Sequence, residues 1–146
     1  MTIPTEKTII NLHVVTSITQ GDEHEVFTFD EAGTLLHKNG ASFIKYQEPQ
    51  DDGSKATVLF KINPDGTVQL TRHGQSDLRL VFKENARQST RYLTPMGPMV
   101  IETLTNSIDA SINVKHSQGN LNIIYSLYQG DYMVGEYIVH VDFIKA

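Results

Sequence analysis

Residues that favour tight turns recur about every 8–12 positions along this chain, and this spacing limits what the chain can fold into. Gly, Asn, Asp and Pro supply the positive or fixed φ angles that tight turns require. Such short intervals are typical of an all-β sandwich or barrel and leave little room for long helices. The turn segments lie at 20–22, 31–33, 38–40, 51–53, 63–66, 73–74, 95–98, 118–120 and 129–131.

Between the turns, apolar side chains alternate with polar ones at the period of two that β-strands show. Val58, Phe60 and Ile62 share one parity, and Val68 and Leu70 continue the pattern after the next turn. We therefore predict that one face of each strand points into a shared core. The other predicted inward positions are Ile10, Leu12, Val14, Ile18, Leu78, Leu80, Phe82, Ala110, Ile112, Val114, Leu121, Ile123, Tyr125, Leu127, Met133, Tyr137, Val139, Val141 and Phe143.

Short loops between alternating runs predict hairpins, and the Asn-Pro-Asp-Gly segment at 63–66 is the strongest such signal. Consecutive hairpins form an antiparallel meander, which must pack as two sheets or close to remove its exposed edges. We predict an all-β fold, a closed or nearly closed antiparallel meander β-barrel of about eight to ten strands. Residues 1–146 are expected to form one domain.

Charge and cysteine content narrow the classes of partner. The formal net charge of -5 repels phosphate backbones and anionic lipids, so we expect neither nucleic acid nor a membrane as partner. The absence of cysteine removes disulfides and thiolate metal sites and fits a reducing compartment. No basic segment leads into an apolar run near the N-terminus, and no run reaches membrane length. We therefore expect a cytoplasmic protein.

A family resemblance rests on motifs in the second half of the chain. They are Gly-Thr-Val-Gln-Leu-Thr-Arg-His-Gly at 66–74 followed by Leu80 and Phe82, Tyr92-x-Thr94-Pro95-x-Gly97, Thr103 or Thr105, Gly119-x-Leu121 and Tyr125-x-Leu127. In this order they resemble the YwiB-like family of uncharacterised bacterial barrel proteins. The resemblance runs from about Lys7 to Ile144, with Met96 a departure where an aromatic residue is expected. It implies a calycin-like barrel, similar in shape to lipocalins and fatty-acid-binding proteins. Because the family has no assigned activity, the resemblance assigns no catalytic or ligand-binding residues to this chain.

Arg72 is the most informative polar residue, because it has the inward parity of Val68 and Leu70. A buried guanidinium needs partners, so Arg72 is a candidate to bind a ligand carboxylate inside the barrel. Alternatively, it lies at the rim with its head in water, or pairs with an acid such as Glu102. The other predicted lining residues are Tyr92, Thr94, Thr103 and Tyr125.

Glu102 is a second candidate inward charge, because Val100 and Leu104 share its parity. Met99 and Ile101 fit the opposite face equally well, so periodicity does not choose between an inward and an exterior Glu102.

Metal and nucleic-acid sites have weaker support. His140 and Asp142 lie two positions apart on one strand face, as metal ligands must, but the inward parity of Tyr137 and Val139 places them outside. We predict no metal and no cofactor. Basic and aromatic residues between Arg72 and Tyr92 are the best argument for RNA binding, although parity divides them between two faces.

Three functions remain open. The leading hypothesis is a non-enzymatic barrel that binds a small amphipathic or apolar molecule in its lumen. The second is a structural or protein-interaction module, with a homodimer as one form, that uses outward apolar residues. The third is an enzyme at the barrel mouth with Arg72, Tyr92 and Glu102. The outward residues of the second hypothesis are Leu59, Val81, Leu93 and Ile124.

Overall fold

Ten antiparallel strands make up the computed structural model, which describes residues 7–75 and 77–146 and only the backbone of Tyr92 and Thr94. The prediction of an all-β antiparallel meander is confirmed, with a strand count at the top of the expected range. No helix long and apolar enough to cross a membrane occurs in these residues. The strands are β1 Thr8–Gln20, β2 Glu23–Lys38, β3 Ala41–Pro49, β4 Lys55–Ile62, β5 Val68–His73, β6 Asp77–Phe82, β7 Arg87–Thr94, β8 Gly97–Asn113, β9 Gln118–Gln129 and β10 Tyr132–Lys145.

Each strand pairs with its neighbours in the chain, and β1 pairs with β10 to close the barrel. The closing ladder runs from Ile10 opposite Lys145 to Thr19 opposite Glu136. Because closure pairs the first strand with the last, the sheet has no free outer strand.

Alternate side chains fill the interior as the period of two predicts. Ile44, Val58, Val68, Leu121 and Val141 are fully buried. The lumen has two ends that differ in content. We call the end filled by side chains the packed end, and its defining buried residues are Ile10, Ile62, Val68, Phe82 and Leu121. We call the opposite end, which receives the turns β1–β2, β3–β4, β5–β6, β7–β8 and β9–β10, the mouth.

A β-bulge between Thr105 and Ser107 changes the inward parity along β8. Ile101, Thr103 and Thr105 are buried before it, whereas Ile108 packs against the core after it. Alternation gave no single inward face for the first part of the strand because Val100 and Leu104 are apolar residues on the outer face there.

Three predicted inward residues are exposed, which corrects the sequence-based assignment of Ala110, Val114 and Met133. Ala110 and Val114 lie where the β8–β9 hairpin extends beyond β7, whose ladder with β8 ends at Arg87 opposite Leu104. A bulge between Met133 and Gly135 pairs Met133 with Tyr128, away from the inward positions of β9. Period-two patterns do not reveal where a ladder ends or slips.

β2 gains β3 as a second partner at Gly33, which lies opposite Ile10 of β1 and Tyr46 of β3. Residues 23–32 pair with β1 but make no ladder with β3, so the β1–β2 hairpin extends past β3 at the mouth. A Cβ atom on Gly33 would lie 2.5 Å from the carbonyl oxygen of Lys45. Only glycine therefore fits where the three strands meet.

The seam between β6 and β7 is the weakest part of the wall, with one ladder position at Asp77 opposite Leu93. The buried hydroxyl of Thr103 on β8 spans this seam. It donates to the carbonyl oxygen of Val81 at 2.8 Å and lies 3.4 Å from that of Gln88. A side chain thus supplies a link between strands where the backbone ladder is missing.

Candidate functional site

A cavity of about 390 Å³ occupies the lumen at the mouth. Its floor and walls are mostly apolar, and its charged groups lie on β3, on β5 and in the β3–β4 turn. It is lined by Val14, Thr16, Ile18, Phe27, Phe29, Tyr46, Glu48, Pro49, Gln50, Asp51, Val58, Phe60, Leu70, Arg72, Leu78, Leu80, Tyr125, Leu127, Tyr137 and Val139.

Arg72 and Glu48 form an ion pair across β4, with 2.8 Å between Nη2 of Arg72 and Oε2 of Glu48. The register explains the pairing. Tyr46, Val58 and Arg72 lie side by side on three adjacent strands, and Glu48 is one inward position further along, opposite Ala56. The methyl group of Ala56 is too short to block the long side chains on either side, so they meet above it.

The ion pair leaves two buried polar atoms without a hydrogen bond. Nε of Arg72 has no partner among the described residues, and neither has Oε2 of Glu48, because the N–H groups of Nη2 are not directed at this oxygen. The Glu48 side chain is 13% exposed and the Arg72 side chain 38%, so the carboxylate lies deeper than the guanidinium. Buried unsatisfied groups are uncommon in native proteins, and these two atoms belong to residues that line the cavity, although the atoms themselves are not exposed to it.

Three tyrosines form the polar part of the lumen wall beside the ion pair. The rings of Tyr125 and Tyr137 stack with 5.0 Å between centroids. Burial raises the pKa of Tyr125 and of Tyr137. Burial and then the negative charge of Glu48 raise the pKa of Tyr46, against the opposing charge of Arg72. All three tyrosines are therefore neutral hydroxyls at neutral pH.

The structure brings together two of the residues that the sequence nominated for the site. Arg72 and Tyr125 both line the cavity. Thr103 is buried, but its hydroxyl is directed to backbone carbonyls at the β6–β7 seam and it is not among the lining residues. The side chains of Tyr92 and Thr94 lie outside the described part of the chain; their backbones pair with Met99 and Gly97.

Glu102 is on the outer surface, where Oε2 lies 2.8 Å from Nε of Arg87. The Arg87 guanidinium also covers the ring of Tyr128, 4.4 Å from its centroid. The alternative that paired Arg72 with Glu102 is therefore wrong, because the two side chains are on opposite faces of the wall and each has another partner. The same separation removes the basis for an enzyme site that combines them.

The span of basic and aromatic residues is divided as its parity suggested. Arg72 faces the lumen and Phe82 is fully buried, whereas Arg87 is bound to Glu102 outside. These residues do not form one surface on which bases could stack. Among the residues proposed for an interaction surface, Leu93 and Ile124 are exposed, and Leu59 and Val81 are half-buried.

Sequence reasoning missed Glu48, Tyr46, Tyr137 as a stacking partner, and the phenylalanines of the β1–β2 hairpin. A signal for Glu48 is present, because Ile44, Tyr46 and Glu48 share one parity just as Val68, Leu70 and Arg72 do. β3 and β5 thus each carry a charged residue at the end of a row of inward apolar residues, and the two charges have opposite sign. This pattern predicts an ion pair at one end of the barrel. Phe27 and Phe29 had no such signal, since their hairpin makes few buried contacts.

The histidine pattern on β10 is an outer-face arrangement. Nε2 of His140 lies 2.6 Å from Oδ2 of Asp142, and Nδ1 contacts Asn122 on β9. Within residues 7–75 and 77–146, no three His, Cys, Asp or Glu side chains come together as metal ligands.

Comparison with known proteins gives one family. Residues 12–141 match a domain of unknown function, DUF1934. The chain is 27% identical over 126 residues to the uncharacterized beta-barrel protein YwiB of Bacillus subtilis (strain 168), covering 86% of each chain. The crystal structure of the ywiB protein from Bacillus subtilis matches with a TM-score of 0.83 at 24% identity and covers 96% of this chain and 93% of that one. These matches confirm the resemblance drawn from the motifs between Gly66 and Leu127.

Proposed function

We propose, starting from the premise that this chain belongs to the DUF1934 family, that it is a binding protein that holds one small amphipathic molecule in the mouth of its barrel. The family itself assigns no activity. The proposal therefore rests on the cavity, and the observation that carries it is an apolar lumen with a charged pair at its entrance.

The size and lining of the cavity support a small ligand. Ligand pockets enclose roughly 300–1,000 Å³ and combine apolar walls with a few placed polar groups. The volume here, about 390 Å³, is near the lower end of that range. Barrels of this kind are wide enough to be filled by side chains or to hold one small molecule. A short apolar chain or a single ring fits these dimensions better than a long lipid.

The arrangement of the wall sets the orientation of the bound molecule. Phe60, Leu70 and Leu80 are register partners and form the deep apolar part, whereas Arg72 and Glu48 lie towards the turns. An amphipathic molecule would bury its apolar part against the deep apolar residues and leave its polar head beside Arg72 and Glu48. This orientation follows because burial of an unpaired polar group is unfavourable.

Titration with 1-octanol tests the proposal, with binding followed by amide chemical shifts in two-dimensional NMR. We expect saturable shifts at lumen residues such as Tyr46, Arg72 and Tyr137. Leu78→Trp should abolish them, because an indole at this partly buried lining position fills the cavity. Leu93→Trp is the matched control, since Leu93 is 54% exposed and absent from the cavity wall.

A lumen that does not bind octanol would leave the shifts of these amides unchanged or linear in concentration. Equal loss of binding in both tryptophan variants would also contradict a lumen site. Melting curves of both variants, recorded without octanol, separate loss of the cavity from loss of the fold.

A further inference from the structure

Part of β2 at the mouth has one edge without a partner strand. We call residues 23–32 the overhang; they pair with β1, but the ladder with β3 begins only at Gly33. All overhang residues except Phe29 and Glu31 are exposed, with Val26 at 55%. Among the described strands only β1 pairs with the overhang, so its other edge presents unpaired backbone groups to solvent.

The register identifies which residues direct their backbone groups to this free edge. In an antiparallel ladder, a residue directs its N–H and C=O to the same neighbour, and successive residues alternate between the two neighbours. The amide of Ala146 donates to the carbonyl oxygen of Ile9, so Ile9 faces β10 and Ile10 faces β2. Gly33 lies opposite Ile10 and therefore faces β1, and the register of β1 with β2 has no shift. The residues that face the free edge are accordingly His24, Val26, Thr28, Asp30 and Ala32.

Charge is the one protection that this edge has against pairing with another strand. Proline, lysine and β-bulges, which commonly protect sheet edges, are missing from residues 23–32. The overhang instead holds four acidic residues and neither Lys nor Arg. A second copy would bring the same carboxylates against them, and like charges on paired strands are destabilising, whereas a strand with Lys or Arg is attracted. The acidic residues are Glu23, Glu25, Asp30 and Glu31.

The lumen side of the overhang specifies a pattern for the partner strand. Phe27 and Phe29 lie opposite Thr16 and Val14 of β1 and line the cavity. Because side chains alternate between faces, the three glutamates of the overhang share this face and flank the two phenylalanines. Directly opposed side chains interact, so a matching strand has apolar residues opposite the phenylalanines and basic residues opposite the glutamates.

We propose that the overhang binds an extended basic peptide segment by strand addition, in which Lys or Arg flanks two apolar residues on one face. In this mode main-chain hydrogen bonds supply affinity and alternate side chains supply specificity. The proposal goes beyond the lumen function, because it assigns a partner to the sheet edge and requires no small molecule.

The capped peptide Lys-Thr-Val-Thr-Val-Thr-Lys-Thr-Lys tests the proposal by fluorescence anisotropy. Aligned antiparallel to the overhang, it places Val opposite Phe29 and Phe27 and Lys opposite the glutamates. We expect saturable binding that weakens as salt is added. The same peptide with Glu in place of Lys should bind at least about tenfold more weakly, since an opposite-charge pair contributes up to about fivefold. Equal affinity of the two peptides would overturn the proposal.

Backbone methylation distinguishes strand addition from simple charge attraction. N-methyl groups on the two central Thr residues of the peptide remove N–H groups that point at β2, and should abolish binding. N-methyl groups on the two Val residues point away from β2 and should leave most of the affinity. Equal affinities of the two methylated peptides would contradict strand addition.

Thr28→Pro makes the corresponding change in the protein. It removes an N–H group that faces the free edge and that β1 does not use, so peptide affinity should fall by about tenfold or more. Ala110→Pro is the matched control, at an exposed position where β8 extends beyond β7 at the packed end, and should bind the peptide normally. Equal losses in both variants would count against the site. Melting curves report whether each variant folds, and the methylated peptides decide the matter with the unaltered protein if Thr28→Pro does not.

A second copy of the chain is the competing occupant, and sedimentation equilibrium tests for it. We expect no dimer that depends on the overhang, because its carboxylates would oppose each other. A dimer that Thr28→Pro dissociates would assign this edge to self-association and overturn the proposal of a basic partner.

Discussion

The packed end and the mouth of this barrel are made by the same strands, yet only one of them is filled. At the packed end, Phe82, Leu121 and Val68 are buried among apolar neighbours. At the mouth, the inward positions of β3 and β5 carry Glu48 and Arg72, and a cavity of about 390 Å³ lies beside this ion pair. The same lumen therefore has one end filled by apolar side chains and one end that holds a cavity with a charged pair in its wall.

The largest expected difference between the ends concerns truncated leucines. Leu121→Ala at the packed end should lower the free energy of unfolding by about 3 kcal/mol, because it leaves a void among close-packed atoms. Leu78→Ala at the mouth should cost about 1 kcal/mol, since that side chain is partly exposed and already borders open space. Urea denaturation of both variants measures the two values. Equal losses would show that the mouth is packed as tightly as the other end.

Alkaline pH should destabilise the protein through tyrosines at the mouth. Burial raises the pKa of Tyr46 and Tyr125 in the folded state, whereas in the unfolded chain they lose their protons near pH 10. Their contribution is therefore fully present below about pH 10 and is lost as pH rises further, by about 1.4 kcal/mol per pH unit for each tyrosine.

Denaturation at several pH values above 9 gives this slope, and absorbance at the tyrosinate band reports the titration itself. Tyr46→Phe and Tyr125→Phe should each reduce the slope, with Tyr132→Phe, a 70% exposed position, as the control. A slope that is the same in all three variants would assign the effect to other groups.

Removal of one charge from the mouth should destabilise more than removal of both. Arg72→Leu leaves Glu48, whose side chain is 13% exposed, without its counter-charge and should cost about 1–2 kcal/mol. The double variant with Glu48→Leu should recover most of this loss, because two apolar side chains then extend the packing of the other end. A double-mutant cycle in urea measures the coupling, and additive losses would argue against a direct pair.

The smallest expected effects compare two threonines of β8 that are both fully buried. Thr105→Val should stabilise by up to about 1 kcal/mol, because the Thr105 hydroxyl has no hydrogen-bond partner among the described residues. Thr103→Val should destabilise by about 1 kcal/mol, since it removes the link to Val81 across the weak seam. Thermal melts of both variants show whether each substitution raises or lowers the melting temperature. A loss in both variants would mean that the Thr105 hydroxyl is satisfied.

Alternation and turn spacing were sufficient to predict the all-β class, the meander and the inward stripes, because these follow from local chain geometry. They also gave Arg72 the inward parity, but left open whether its head lies in the lumen, at the rim or on an acidic partner. Alternation failed at Met133, where a bulge moved one residue out of register, and at Ala110, where the partner strand ends. Neither event changes the spacing of apolar residues in a way that a single sequence reveals.

Only part of the site was predictable from the sequence, because its geometry depends on the register of three strands. Arg72 meets Glu48 because β3, β4 and β5 align so that Ala56 lies between them. Parity states which side of the wall a residue is on, but the alignment of three strands depends on two turns and their exact lengths. The alternative that paired Arg72 with Glu102 was raised without that alignment, and the structure contradicts it.

The closing ladder between β1 and β10 has a consequence for how the barrel is assembled. All the other strand pairings join neighbours in the chain and need only a short loop to form. The entropy of bringing remote segments together therefore falls on a single step, in which Ile10 to Thr19 meet Glu136 to Lys145. Until that step is complete, the chain is a curled ribbon with two unpaired outer strands, a species prone to pair with other copies of itself.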